Sequence, residues 1–531
     1  MKKQGALLFA LIGLIALVLL TGCNKKTSAA DAPKAQAAIT VEIFDRGTDG
    51  GKTDPTNNKW TAWIKEKILK DENIVVNFVS VPRWTETDSL VNLFAAGTPP
   101  DVAYTYSNDN IQSWSDQGGI YDLSPYIDTT LKDLKAFLGP DKALPGKDMI
   151  RRNIDVSTGK IYSIPAKRMS TAQRTIFIRE DWLKILGLPL PTTKEQYYDT
   201  LVAFRDNSSK LGVSKVIPFT LSGDRVDWSA GNIIEAFINP NLSDKERWIN
   251  TAAERSFTVD GYKEGVRFIN RMYNDNLIDK DFPLYVGDDN GNVIKSGVVG
   301  SWSGDWDTIY REPNGVFSEL RKNVPTANIV PIDPIQSSDG ITHKSAYDAA
   351  GIFFFIPVQA KNPDAAMRYL NWLAKYENYH FVQTGPEGIT HTIVDGVVKV
   401  DASAKADPTW IMNSNQNIDY TPMMNGLFLE TEEASIRALA AGYSWPADLI
   451  TQAYNMALKN AKPGLVVKTA TPLTAAGPLA NTLQDKGKVI YASSIIAPVN
   501  QFDAVYDAGV RDWLASGAQT IMDERRAKYP N

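Results

Sequence analysis

The chain has 531 residues, well beyond one domain of about 100–200, so two or more lobes with ample core are expected. Its composition, 43% hydrophobic and 22% charged, is ordinary for a globular protein, and a net charge of −5 without a basic block argues against nucleic acid and polybasic-lipid binding. The single cysteine, Cys23, excludes an internal disulfide framework and leaves stability to packing.

Met1-Lys2-Lys3 and the apolar run 6–20, broken only by Gly13, read as a signal peptide over 1–22. The run is shorter than the about 20 apolar residues that span a bilayer. Leu20-Thr21-Gly22-Cys23 resembles the lipobox of bacterial lipoproteins, in which the cysteine becomes the first mature residue and carries lipid. That resemblance implies acylation (palmitate) at Cys23 and a mature chain anchored to the outer face of the cell membrane without spanning it. Two or three acyl chains, at roughly 0.8 kcal/mol per buried CH₂, make such an anchor stable. Residues 23–38, small, polar and Pro-containing, read as a flexible tether.

Alternation of Ile39, Val41 and Ile43 predicts a strand over 39–44. Trp60, Trp63, Ile64 and Ile68 then fall at helical spacing. A second strand is predicted over 74–81, a helix over 90–96 stopped by Gly97-Thr98-Pro99-Pro100, and a third strand over 101–105. This β-α-β-α-β order implies a parallel sheet with right-handed crossovers. In such sheets ligands sit beyond the C-terminal strand ends, which here carry Asp45-Arg46, Arg83-Trp84 and the run Tyr104, Tyr106 and Asn108. Further along, Thr192 and Glu195 have capping-box spacing before the apolar face Tyr197, Leu201 and Phe204. Residues 297–302 read as a short buried strand running into a polar loop, Ser303-Gly304-Asp305-Trp306. Residues 349–358 are the most apolar stretch of the mature chain, and 503–528 read as one amphipathic C-terminal helix. No internal repeat of fixed period is present.

Several motifs, in order, resemble the extracellular solute-binding proteins of bacterial ABC importers, in their carbohydrate-binding (aldouronate or oligosaccharide) lipoprotein branch. They are Gly97 to Asp101, Lys160-Ile161-Tyr162-Ser163-Ile164-Pro165, Phe177-Ile178-Arg179-Glu180-Asp181-Trp182-Leu183, Pro191-Thr192-Thr193, Asn276-Leu277-Ile278-Asp279, Lys361-Asn362-Pro363 and Gly385-Pro386-Glu387-Gly388. Asn276 stands where that family has Gly, and Thr390-His391-Thr392 replaces a common aromatic. The resemblance implies an α/β, two-lobe periplasmic-binding-protein-like fold (type II), with parallel-sheet lobes joined by a hinge. Lobe 1 is expected from 39–163 plus about 350–425, and lobe 2 from 164–349 plus about 426–531. The chain should cross near 161–167 and return near 350–357. The implied partners are an oligosaccharide and the transmembrane subunits of an ABC permease, with the chain a monomer.

A sugar has apolar C–H faces that pack on aromatic rings and hydroxyls that need paired partners. Candidate ligand-binding residues are therefore Trp84, Tyr104, Tyr106, Asn108, Trp228, Trp302, Asp305, Trp306 and Glu387. Trp182, Trp248, Trp372 and Trp513, at helical spacing, read instead as core. Lys167 and Arg168, with Arg46 and Arg83, could clamp a uronate carboxylate bidentately, or be tied up in ion pairs. An enzyme is disfavoured: no Gly-x-Ser-x-Gly, His-Glu-x-x-His or P-loop occurs, although a cell-surface glycoside hydrolase and a peptide receptor remain alternatives. The acidic run 287–292 lacks the glycine and twelfth ligand of a calcium loop and reads as a polar turn. No cofactor or metal is expected.

Overall fold

The computed structural model describes residues 35–47, 54–139, 149–155, 158–168, 170–287, 289–311, 315–400, 417–421, 423–424, 432–443, 445–464, 467, 469, 471 and 473–530. The expected signal segment, Cys23 with its expected lipid, most of the stretch read as tether and Asp288 of the acidic run lie outside them. No helix among the described residues is long and apolar enough to cross a membrane.

Strand β1 (Ala37–Asp45) starts inside the stretch read as tether and pairs in parallel with β2 (Ile74–Pro82), from Ala37 opposite Ile74 to Asp45 opposite Pro82. The crossover is the helix Lys59–Glu72. Asn58 caps it by accepting from the Trp60 and Thr61 N–H groups, and Asn73, left-handed at φ 53°, ends it. Trp60, Ile64 and Ile68 lie one turn apart and are fully buried, each contributing about 1.5–3 kcal/mol of apolar burial. The strand β3 (Ala103–Thr105) follows the helix Glu86–Ala95.

The chain then crosses to lobe 2. Strand β4 (Ile164–Arg168) belongs to lobe 1, and β5 (Arg174–Arg179) to lobe 2. Lobe 2 adds β6 (Ile217–Phe219), β7 (Val299–Asp305) and β8 (Ile329–Ile332) in the order β6-β7-β5-β8. The return runs through β9 (Lys344–Ala346) into β10 (Ala350–Phe355). The Arg168 N–H donates to the Ala349 carbonyl and the Tyr347 N–H to the Thr171 carbonyl, each at 2.9 Å. The two crossing segments, 170–173 and 347–349, are thus bonded side by side, a few residues inside the expected crossovers.

Both lobes are α/β, but their sheets are mixed. β6 and β7 are parallel, whereas β5 runs antiparallel to β7 and β8, and β10 antiparallel to β3 and β4. A strand that arrives straight from a crossing segment, without a covering helix, enters in the opposite sense.

One core gathers residues from 39–166 and 349–400 with Tyr420 and Ala438, the last from the range expected in lobe 2; a second gathers 176–335 with the C-terminal helices from Leu483 to Met522. Trp182, Trp372 and Trp513 are fully buried and Trp248 nearly so, as their spacing implies. The C-terminal helix is two, Phe502–Trp513 and Gln519–Lys528, kinked at Gly517 with φ 123°. The cap near 192 is Thr193, accepting from the Gln196 N–H, while Gln196 accepts in return from Thr192. The acidic run is helical from Asp289 onward. Asn276 has φ 58°, so it takes the left-handed turn that a glycine would make freely and that asparagine tolerates best among other residues.

Candidate functional site

The ends of β1 and β2 and the residues after β3 form one wall, on lobe 1. Arg46, just past β1, donates to both carboxylate oxygens of Asp419 at 2.6 Å and to the Tyr106 hydroxyl at 3.2 Å. Burial works to lower the Arg46 pKa, but Asp419 outweighs it and holds the guanidinium above its ordinary range. Arg83, just past β2, lies 3.7 Å over the Tyr106 ring and donates to Glu86 at 3.0 Å. Tyr106 in turn stacks on Phe44. Trp84 covers this group, 72% exposed, with its indole N–H donating to the Arg46 carbonyl at 3.3 Å. Arg83 sits 5.1 Å from its ring. Asn108 is exposed at the start of the helix Asn108–Asp116, which Ser107 caps.

A second group, on lobe 2, is built after β6 and β7. Trp228, half-buried on the short helix Val226–Ser229, has Arg225 5.3 Å and Arg174 6.0 Å from its ring. A Cβ at Gly304 would stand 3.9 Å from the tip of this indole, so Trp228 lies over the end of β7. Asp305 ends β7, and burial pushes its carboxyl up to about 6 against the pull of Arg174 and Arg311. Its hydrogen bond from the Tyr347 hydroxyl is long, 3.5 Å.

Arg168 forms the floor, 4.4 Å over the ring of Tyr347 on the other crossing segment. Burial lowers its pKa while Tyr347, Tyr106, Asp348 and Asp305 work against that, so groups from both lobes surround it. At the rim, the helix Asn108–Asp116 touches the helix Ala476–Ile496 of lobe 2.

Strand-end reasoning thus finds Trp84 and Tyr106 together on lobe 1 through Arg46, and Trp228 beside the end of β7 at Asp305 on lobe 2, with Arg168 between Tyr106 and Asp305. Other candidates lie elsewhere. Tyr104 sits on the same face as Tyr106, two residues further in, where it is buried and accepts from the Phe44 N–H. Lys167 alternates with Arg168 and points the other way, donating to the Phe137 carbonyl at 2.6 Å; burial lowers its pKa to about 8. The four-cation clamp is therefore not assembled: Arg46 and Arg83 hold carboxylates of the protein and Lys167 faces the interior. Trp302 and Trp306 are 2% and 4% exposed. Trp302 stacks on Phe177 and Trp306 packs edge-on against Tyr454. The stretch read as a polar loop is the end of strand β7, with Ser303 donating to the Asn232 side chain at 2.8 Å. Glu387 is exposed on lobe 1, bridging to His391 rather than reaching the strand ends.

Tyr347, Arg174 and Asp419 escaped sequence reasoning. The first two flank the crossing strands, where position relative to the apolar stretch 349–358 was a usable signal. Asp419 reaches Arg46 from far along the chain and gives no local signal.

The family model described as bacterial extracellular solute-binding protein matches residues 53–379. FusA of Streptococcus pneumoniae serotype 4, a fructooligosaccharide ABC transporter substrate-binding protein, is 25% identical over 314 residues, 54% of this chain and 55% of its own length. The chain thus spans about half the length of that relative. Lipoprotein LipO of Bacillus subtilis (strain 168) is 23% identical over 538 residues and 97% of each chain is covered. Among solved structures, alginate-binding protein AlgQ2 without calcium ion superposes with a TM-score of 0.65 at 17% identity, over 93% of this chain and 98% of that one. At that identity the likeness shows the shared two-lobe fold.

Proposed function

This chain belongs to the bacterial extracellular solute-binding protein family, and from that premise we propose that it captures an oligosaccharide between its lobes and delivers it to an ABC permease. The observation that supports the reading is an indole on each lobe, Trp84 just past β2 and Trp228 over the end of β7, with guanidinium groups beside each ring. Such plates pack on the C–H faces of a sugar. Asp305, with one long hydrogen bond, and Asn108, exposed, are free to take its hydroxyls. Arg46 and Arg83 are matched by Asp419 and Glu86, which favours uncharged sugar rings over uronates. The printed names of FusA and AlgQ2, a fructooligosaccharide and an alginate binder, support a glycan ligand.

The chain acts as a receptor, not an enzyme. Ligand that touches both walls shifts the population toward the closed form about the crossing segments. The lipobox and the LipO likeness support export through 1–22 and lipid anchoring at Cys23 to the outer face of the membrane. The chain works as a monomer.

The test is intrinsic tryptophan fluorescence and thermal melting against neutral and uronate-bearing oligosaccharides, followed by chromatography of the sugar. A saturable shift, a raised melting point and intact sugar are expected. Shortened sugar would make the chain a hydrolase, and indifference to every glycan would move the ligand to peptides.

A further inference from the structure

We propose that Arg255 is a positioning residue for the indole of Trp228, acting through Asp227. The proposal rests on the reading of Trp228 as a wall of the cleft, but its main test does not depend on that reading.

The observation that starts the argument is a turn. The Ala252 and Arg255 N–H groups donate to each other's carbonyls at 3.0 and 2.9 Å, closing a tight turn over 252–255. Its two central residues, Ala253 and Glu254, both have left-handed backbones, φ 46° and 60°. A turn with both central residues left-handed is normally built from Asn-Gly or Gly-Gly. Among the described residues this is the one place where two successive non-glycine residues take that conformation. Strain of this kind persists where the surroundings over-determine it, and it marks positions where something downstream must be held.

What it holds is Arg255. The side chain is nearly buried, and its terminal nitrogen pairs with the Asp227 carboxylate at 2.9 Å. Its stem lies along Gly487 of the helix Ala476–Ile496. A Cβ there would come within 3.1 Å of Nε and 3.4 Å of Cδ and Cγ, so any larger residue would press on the stem. Tyr262 and Tyr491, hydrogen-bonded to one another, stand close to the guanidinium. Three separate elements thus confine one arginine.

Asp227 precedes Trp228 on the helix Val226–Ser229. Arg255 holds its carboxylate, while Arg174 donates to its carbonyl at 3.1 Å. One turn of helix is fastened by its side chain on one side and its main chain on the other. Arg174 also lies beside the Trp228 ring, as does Arg225. Without Arg255, Asp227 would turn to the nearest remaining cation, Arg174, and draw it off both the ring and the carbonyl. A one-turn helix cannot keep its own orientation, since nucleation is unfavourable without outside contacts.

The experiment is a double-mutant cycle on the full chain, with Arg255→Met, Trp228→Phe and the double variant. The first readout is acrylamide quenching without ligand. The Trp228 component, wild type minus Trp228→Phe, should be quenched about twice as strongly in the Arg255→Met background. Gly487→Ala should move that component in the same direction by crowding the arginine stem. The second readout is titration with kestose. Arg255→Met should weaken binding about tenfold when Trp228 is present and less than twofold in Trp228→Phe, and Arg255→Lys should recover most of the loss. Should Arg255→Met fail to fold, Asp227→Asn, of the same shape, carries the same cycle. An unchanged Trp228 component in Arg255→Met, or equal losses with and without Trp228, would overturn the proposal. Kestose affinity untouched by Trp228→Phe would instead sink the place of Trp228 in the binding wall, while the quenching result still decides the role of Arg255.

Discussion

On lobe 1 the cations at the strand ends meet carboxylates of the protein: Arg46 grips Asp419 through two hydrogen bonds and Arg83 holds Glu86. On lobe 2 three guanidinium groups, from Arg174, Arg225 and Arg255, gather about Asp227 and Trp228, while Asp305 close by has one long hydrogen bond. The first wall is electrostatically complete and offers mainly a flat, exposed ring. The second retains unspent acceptor capacity beside a ring that is clamped. In the proposed reading, one wall supplies surface and the other partners for hydroxyls, matching the two kinds of surface a sugar has.

The largest effect that probes this contrast concerns indoles outside either wall. Trp302→Ala should destabilise lobe 2 by about 3–5 kcal/mol, because it empties a packed site. A urea melt reporting less than 1 kcal/mol would return Trp302 to the cleft. Asp419→Ala should cost about 3 kcal/mol by stranding the buried Arg46 charge; a variant as stable as the wild type would mean that lobe 1's wall is not closed by this pair.

Asp305 tests the other wall through pH. Its folded pKa of about 6 lies above the ordinary value of 3.8, so the folded state holds the proton that the unfolded state has lost. Stability from this group is therefore full below pH 4 and is lost as pH rises to about 6, by at most about 3 kcal/mol. Denaturation midpoints at pH 4 and 7 should show the fall in the wild type and not in Asp305→Asn. Trp84→Ala should leave stability within about 0.5 kcal/mol, as exposed substitutions do, while weakening oligosaccharide binding at least tenfold, about 1.4 kcal/mol. Calorimetric titration giving equal affinity would strip lobe 1's wall of its plate. The smallest expected effect is that of Glu254→Gly. Relief of left-handed strain, roughly 1–2 kcal/mol, is mostly offset by about 0.5–1 kcal/mol of glycine entropy, leaving a gain of about 0.5 kcal/mol in melting experiments.

Much of this was legible in the sequence. The helical spacing of Trp60, Ile64 and Ile68 and the strands around them gave the first crossover, and the strand-end rule grouped Arg46, Trp84 and Tyr106, which do meet. Trp302 and Trp306 were misjudged because serines and glycines near them imitate a loop. Ser301 is instead satisfied inside the core by Tyr197 at 2.8 Å, and Gly300 is small because a Cβ would stand 2.5 Å from the Phe204 ring. Lys167 and Arg168 look equivalent in sequence, and only strand alternation separates them. Asp419 and Arg255 find their partners through tertiary contacts that no local pattern encodes; the Arg46–Asp419 pair alone spans 373 positions.

The order β11-β4-β10-β3 in lobe 1, where β11 is Met423–Met424, governs when that lobe can form. β10 fills the gap between β3 and β4, yet it is synthesised only after every strand of lobe 2's main sheet. Until it arrives, β3 and β4 stand one vacant strand position apart, about 10 Å, with unpaired edges. Bringing a loop of that size closed costs roughly 4–5 kcal/mol of chain entropy before any contact rewards it. A chain emerging from its N-terminus therefore cannot lock this lobe early. In a chain of an extracellular family, such lateness keeps the first lobe threadable until residue 355 of the 531 has been made.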